Sequence, residues 1–236
     1  YRVPEWFRDA KFGIYFHWGI YTVPAFQGEW YSRRMYEPGS MVHQYHVEYY
    51  GPVSEFGYKD FIPRFKPDKF DAQEWVALFR KAGARFAGPV AEHTDGFAMW
   101  DSELTRFDAK DMGPMRDIVG EMEKAVRSQG MKFITTFHHQ WLYGWYPTWD
   151  EASGTADPAY SDLYGPVVPS TAWKPAGEEP EPMPDEAFCN RWLSRVVEVI
   201  DKYRPDLVWF DSKLHIIDEQ YRLDMLSHYY NSSRKW

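Results

Sequence analysis

The stretch from Glu186 to Ser212 limits the possible folds more than any other part of the sequence. Trp192, Val196, Val199 and Ile200 recur at helical spacing between Glu186 and Tyr203, which marks a helix with one apolar face. Arg204-Pro205 ends it, and Asp206-Leu207-Val208-Trp209-Phe210-Asp211-Ser212 follows, a short apolar run closed by an acid. Read as a buried parallel strand, the run has period two, with Leu207, Trp209 and Asp211 on one face and Val208 and Phe210 on the other. A carboxylate in such a place is costly to desolvate, so it needs partners or a chemical task. In α/β barrels and open α/β sheets the C-terminal ends of the strands are where chemistry is done. Asp211 is therefore the first catalytic candidate.

The same alternation runs through the chain upstream. Lys11 to Gly19, Arg85 to His93 and Lys132 to His139 read as strands, after a short helical lead-in at Trp6 to Ala10. Phe70 to Gly83 reads as a helix, with Asp71 as N-cap, Trp75, Leu78, Phe79 and Ala82 as its apolar stripe, and Gly83 as its stop. Asp117 to Gln129 reads as another helix, ended by Gly130. A short helix is expected near residues 40–50 and one more over Asp218 to Ser227. Residues 20–60 and 144–186 read as long loops. The order β-α-β-α-β-α-β-α calls for a parallel sheet with crossover helices. The long segments follow strand ends, as in a (β/α)8 TIM-like barrel, of which about four β/α units are visible. Residues 1–236 thus read as one catalytic barrel domain, incomplete at its C-terminus.

Composition narrows the function. Aromatic residues make up 19% of the chain, more than packing alone accounts for, and aromatic clefts suit sugar rings, nucleobases or methylated cations. A net charge of −8 argues against nucleic acid as a partner. The single cysteine, Cys189, excludes intrachain disulfides and cysteine-based zinc sites. No apolar run approaches the roughly 20 residues of a membrane-spanning helix. Neither a signal peptide nor an initiator Met opens the chain, as expected of a processed or trimmed polypeptide.

Polar residues gather at corresponding strand ends: His17, then Glu92-His93-Thr94-Asp95, then His138-His139, then Asp211. Each has a plain structural alternative. His17, between Phe16 and Trp18, can be a hydrogen-bonded core histidine. Asp95 can be a turn anchor. Glu29 can be solvated loop charge. Period two admits only one of His138 and His139 to a pocket, and the phase set by Ile134 and Thr136 selects His138. Taken together they fit two chemistries. Metal-assisted hydrolysis expects a compact ligand spacing, and none occurs. Glycoside hydrolysis needs a strand-end carboxylate to attack the anomeric carbon, a second acid for the leaving group, and aromatics with histidines around the hydroxyls. The aromatic content favours the second.

The segment from Trp6 to Gly19, with Val23-Pro24-Ala25 and Gly28-Glu29-Trp30-Tyr31, resembles the opening of the α-L-fucosidases of glycoside hydrolase family 29. His93-Thr94-Asp95-Gly96-Phe97-Ala98-Met99-Trp100-Asp101-Ser102, Gly113-Pro114-Met115-Arg116-Asp117 and Trp209-Phe210-Asp211 continue the resemblance in order. It implies a retaining exo-glycosidase that removes terminal α-L-fucose through a covalent glycosyl-enzyme. Asp211 falls on the family nucleophile, and His17, Glu29, Trp30, His93 and Trp209 fall on fucose-binding positions. It implies no metal and no cofactor, a fucosylated oligosaccharide or glycoconjugate as substrate, and a secreted, periplasmic or lysosomal location.

Three departures qualify the resemblance. The family commonly has Lys-His-His-Asp-Gly-Phe where this chain has Glu92-His93-Thr94-Asp95-Gly96-Phe97. Tyr-Tyr-Ser is common where Thr136-Phe137-His138 stands, so His138 joins the expected sugar-binding set. A sulfated or otherwise substituted fucose becomes a candidate substrate. Finally, the family acid/base lies well beyond the nucleophile, and within this chain only Glu219 or a glutamate of 178–186 could replace it. A missing C-terminal half or a homo-oligomer would then cover the open sheet edges. The alternative is a catalytically silent carbohydrate-binding fragment.

Overall fold

The computed structural model describes residues 2–173 and 183–236. Its centre is a four-stranded parallel sheet in the order β1-β2-β3-β4, made of β1 (Gly13–Phe16), β2 (Phe86–Glu92), β3 (Lys132–Phe137) and β4 (Leu207–Phe210). The helices are α1 (Glu5–Ala10), α2 (Tyr31–Arg34), α3 (Met41–Tyr50), α4 (Ala72–Lys81), α5 (Ile118–Ser128), α6 (Ser161–Tyr164), α7 (Glu186–Tyr203) and α8 (Glu219–Ser233). Strands alternate with the long helices α4, α5, α7 and α8. This is half of a (β/α)8 barrel, as the order of elements predicts.

Local chemistry sets the helix ends. Asp71 accepts from the Gln73 and Glu74 amides, Asp117 from Gly120, Asp185 from Phe188 and Asp218 from Gln220, so an aspartate caps each of the four long helices. Gly83 and Gly130, at φ 98° and 70°, stop α4 and α5 in the left-handed region. The α-to-β connections are tight, whereas the segments after β1, β2 and β3 are long. Side chains that could do chemistry therefore collect at the C-terminal ends of the strands.

The two faces of the sheet differ. The helix-covered face is a dry core: Ala87, Ala91, Phe133 and Phe137 are buried completely, as are Trp192, Val196, Val199 and Ile200 of α7. Trp192 packs on Phe210 at 5.4 Å between ring centroids. The opposite face is the inner surface of the barrel, and at its two edges Tyr15 and Trp209 are 46% and 53% exposed.

Several expectations are corrected. The strands are shorter than the apolar runs, because each run continues past its last ladder partner into a polar turn. β4 is a half-buried edge strand instead of a buried one, since among the described residues only β3 pairs with it. Leu78 is 64% exposed. The buried face of α4 is centred on Ala72 and Val76, with Trp75 and Phe79 against Phe16. The helix expected to end at Ser227 runs to Ser233. The short helix expected near 40–50 is α3, but the expected loops also carry α2, α6 and several 3-10 turns, and they bury Trp145, Tyr146, Leu163 and Tyr164.

One ionic cluster ties α7 to the sheet. Arg195 donates through Nη1 to Glu92 Oε1 at 2.5 Å, and His139 Nδ1 donates to the same oxygen at 2.5 Å. Glu92 and His139 are fully buried and Arg195 is 1% exposed. Burial works to raise the Glu92 carboxyl, but Arg195 and His139 outweigh it and hold it below its ordinary value. Removing one member strands a buried charge. Arg195→Met is expected to cost about 3–5 kcal/mol in unfolding free energy, and adding Glu92→Gln is expected to recover part of it. Chemical denaturation of the two variants checks this.

Candidate functional site

The strand ends bring three histidines together. His17 follows β1, His93 follows β2 and His138 follows β3, and one ring nitrogen of each lies within 4.8 Å of the others. Their ring centroids are 4.7–5.2 Å apart. The placement depends on a bulge. Val90 pairs with Thr136, but Glu92 pairs with Phe137, so the register shifts by one residue between Val90 and Glu92. Strict alternation from Val90 would aim Glu92 into the barrel. The bulge turns Glu92 outward to Arg195 and presents His93 beside His138. His139 lies on the Glu92 side, so His138 faces the pocket, as the strand phase predicts.

Burial dominates the electrostatics of the cluster. It pushes His138 down to about 3, with further lowering from the neighbouring His17. His93 falls well below its usual value through burial and then through His138 and His17. His17, only half-buried, is lowered by burial and partly restored by Glu29 and Asp211, which places both carboxylates within its electrostatic reach. The three imidazoles are therefore neutral at pH 7. Thr94 Oγ1 is 2.9 Å from His93 Nδ1, which fixes that ring. Among the described residues His138 Nε2 is buried with no hydrogen-bond partner.

Asp211 stands at the rim. Its side chain is 52% exposed and Oδ2 lies 4.0 Å from His138 Nδ1. Its backbone is held firmly: Trp141 Nε1 donates to the Asp211 carbonyl at 3.0 Å, and Gln140 Nε2 donates to the Asp211 and Ser212 carbonyls at 3.2 and 2.8 Å. Ser212 and Lys213 adopt φ values of 49° and 53°, a strained turn that persists because these bonds determine it.

The remaining candidates are spread around this centre. Trp30 packs against Trp145 and Trp141, at 4.9 and 5.8 Å between centroids, in a wall beside His93. Glu29 precedes it in the same turn. Trp209 shares the inner face with Thr136 through the β3–β4 register, but its ring stands at the open edge instead of against the histidines. Glu219 lies in the first turn of α8, Glu186 opens α7 as an exposed residue, and Glu178, Glu179 and Glu181 lie outside the described residues. Sequence reasoning missed Gln140, Trp141 and Trp145, and also Tyr21, whose ring lies 5.1 Å from His93. The aromatic spacing just after β3 was the available signal for the two tryptophans.

A cavity of about 840 Å³ lies at the other end of the sheet, lined by Arg127, Lys132, Arg204, Asp206, Tyr229 and Trp236 among others. Asp206 there pairs with Arg127 and Lys132.

The chain belongs to the α-L-fucosidase family, whose model, described as Alpha-L-fucosidase, matches residues 1–236. It is 30% identical to the tissue α-L-fucosidase of Rattus norvegicus over 236 residues, 98% of this chain and 44% of that protein. Crystal structures of the Thermotoga maritima α-fucosidase, with a mechanism-based inhibitor and with fucose, superpose with a TM-score of 0.75 at 33% and 32% identity. Each match covers 98% of this chain and 51% of that one. The chain thus spans about half the length of these relatives, and its four-stranded parallel sheet is part of a TIM-barrel fold. No described helix is long and apolar enough to cross a membrane.

Asp95 serves the frame of the site. Tyr58 OH donates to its Oδ2 at 2.6 Å and the Phe97 amide to Oδ1 at 3.3 Å. Burial raises its carboxyl to about 7. The folded state then binds a proton that the unfolded state releases near pH 4, so this group lowers stability progressively as pH rises from about 4 to 7. Asp95→Asn removes the titration while keeping an acceptor. The variant is expected to gain about 2–3 kcal/mol relative to wild type between pH 5 and pH 8, measurable by denaturation at the two pH values.

Proposed function

We propose that this chain carries the sugar-binding and nucleophilic half of a retaining exo-α-L-fucosidase. The supporting observation is the placement of Asp211, an exposed carboxylate on a clamped backbone, 4.0 Å from His138, a buried member of the three-imidazole cluster. The Asp211 carboxylate attacks the anomeric carbon of a terminal α-L-fucose while an acid protonates the departing oxygen. Water then hydrolyses the glycosyl-aspartate, and two displacements give net retention. His17, His93 and His138 are neutral and offer donors and lone pairs to the ring hydroxyls, with Glu29 as acceptor. Trp30, in its tryptophan wall, and Trp209 at the edge offer flat apolar faces to the carbon side of the sugar.

The acid/base is assigned to the rest of the barrel. Glu219 lies in the first turn of α8, and among the described residues no interaction joins it to Asp211. A retaining pair needs carboxyls about 5–5.5 Å apart. The same reading makes residues 1–236 part of one barrel domain whose β1 and β4 edges, with Tyr15 and Trp209 exposed on the inner face, are covered by further strands or by a second copy. The silent-binding alternative gains nothing from the relatives, which are named as fucosidases. The substrate is a fucosylated oligosaccharide or glycoconjugate, which favours a secreted, periplasmic or lysosomal site of action.

In the complete protein, Asp211→Ala is expected to lower kcat on an aryl α-L-fucoside by roughly 10⁴-fold or more. Azide should restore turnover to Asp211→Gly by taking the place of the missing carboxylate. Wild-type turnover in Asp211→Ala would overturn the assignment.

A further inference from the structure

Three neutral imidazoles gathered at one mouth can serve a metal ion as well as sugar hydroxyls. We propose that His17, His93 and His138 form a site for a divalent transition-metal ion, Zn²⁺ above all, whose occupancy competes with sugar. The competition rests on the fucoside reading; the cation site rests on the cluster itself.

Three observations carry it. The donor set is three imidazoles from three different strand ends, with a ligand nitrogen of each within 4.8 Å of the others. Tetrahedral zinc with Zn–N bonds of about 2.0–2.1 Å places its donors roughly 3.3 Å apart, so the triad must close by about 1.5 Å at its widest, within reach of ring rotations. His17, half-buried at the mouth, is the ring with room to move. Second, His93 already has an orienting partner. Nδ1 lies 2.9 Å from Thr94 Oγ1; in the tautomer that donates to this hydroxyl, Nε2 carries the lone pair, the arrangement that metal-binding histidines use to fix ring and tautomer. Third, His138 is 2% exposed and its Nε2 has no hydrogen-bond partner among the described residues, so a buried nitrogen waits for one.

The donors select the ion. Nitrogen ligands favour Zn²⁺, Cu²⁺ or Ni²⁺ over Mg²⁺ and Ca²⁺, which prefer oxygen. The fourth position falls to water, and Asp211 Oδ2, 4.0 Å from the other ring nitrogen of His138, Nδ1, stands beside it. An ion there occupies the space the sugar hydroxyls would take and engages the proposed nucleophile.

The test uses the complete protein, stripped with a chelator. Titration with ZnCl₂ is expected to show one saturable site per chain. Co²⁺ in its place should give the visible absorption bands of a four-coordinate, nitrogen-ligated ion. His93→Ala and His138→Ala should each weaken Zn²⁺ binding more than tenfold and abolish the Co²⁺ bands. Thr94→Val, which removes only the orienting hydroxyl, should weaken binding by roughly tenfold or more while far-UV circular dichroism stays unchanged. It keeps the test decisive if the alanine variants fail to fold. Absence of saturable binding overturns the site, as does binding that survives the histidine substitutions, since other residues would then be the ligands. Free L-fucose is expected to bleach the Co²⁺ bands. Bands that persist in saturating fucose, with the histidine dependence intact, leave the cation site standing and overturn the competition.

Discussion

One buried carboxylate organises this half-barrel. Glu92 sits at the bulge that ends β2, and it is tolerated there because Arg195 of α7 and His139 beyond β3 both donate to a single oxygen. The cost of an unpaired charge in that position is several kcal/mol, so the bulge, the angle of α7 and the outward turn of His139 are settled together. Once His139 is committed outward, His138 faces inward, and the shift of register brings His93 to meet it. The pocket is in this sense a by-product of an ion pair on the other side of the sheet.

Much of the frame was legible in the sequence because its signals are local. The Asp71 cap and the Gly83 stop bracket α4, Gly130 and Arg204-Pro205 mark the ends of α5 and α7 within a residue or two, and the stripe of Trp192, Val196, Val199 and Ile200 is the buried face it promised to be. The choice of His138 over His139 followed from period two alone. The failures have non-local causes. A bulge has no signature in a single sequence, so Glu92 could be grouped with the pocket residues when it belongs to the helix side. Leu78 looked like core because Val76 was not weighed against it. β4 was read as buried because an apolar run does not say how many neighbours a strand has. The Gln140 and Trp141 clamps join residues about 70 positions apart in sequence, which no spacing rule reaches. The expected roles of His17, Glu29, Trp30, His93 and Trp209 came from resemblance, Asp211 was a candidate from its strand end before resemblance named it, and His138 came from strand phase where the family pattern is not kept; geometry adds that the three histidines and Asp211 share one end of the sheet.

The asymmetry between the two sheet faces accounts for the aromatic content. Trp192, Phe133, Phe137 and Phe210 fill the space beneath the helices, whereas Trp30, Trp141 and Trp145 line the mouth. Tyr15 and Trp209 stand at the sheet edges, where aromatic faces meet solvent. The same residue types thus fill the core and line the open mouth at different depths, which is why composition alone could not say where the exposed aromatic faces lie.

The clamp on the Asp211 carbonyl has a consequence for the order of assembly. Both side chains that hold it, Gln140 and Trp141, precede it in the chain, and so do the three histidines. During synthesis from the N-terminus, every anchor of the reactive corner has left the ribosome before Asp211 does. The corner can be set as the fourth strand docks, without waiting for any later strand, and whatever closes the barrel arrives at a template already in place.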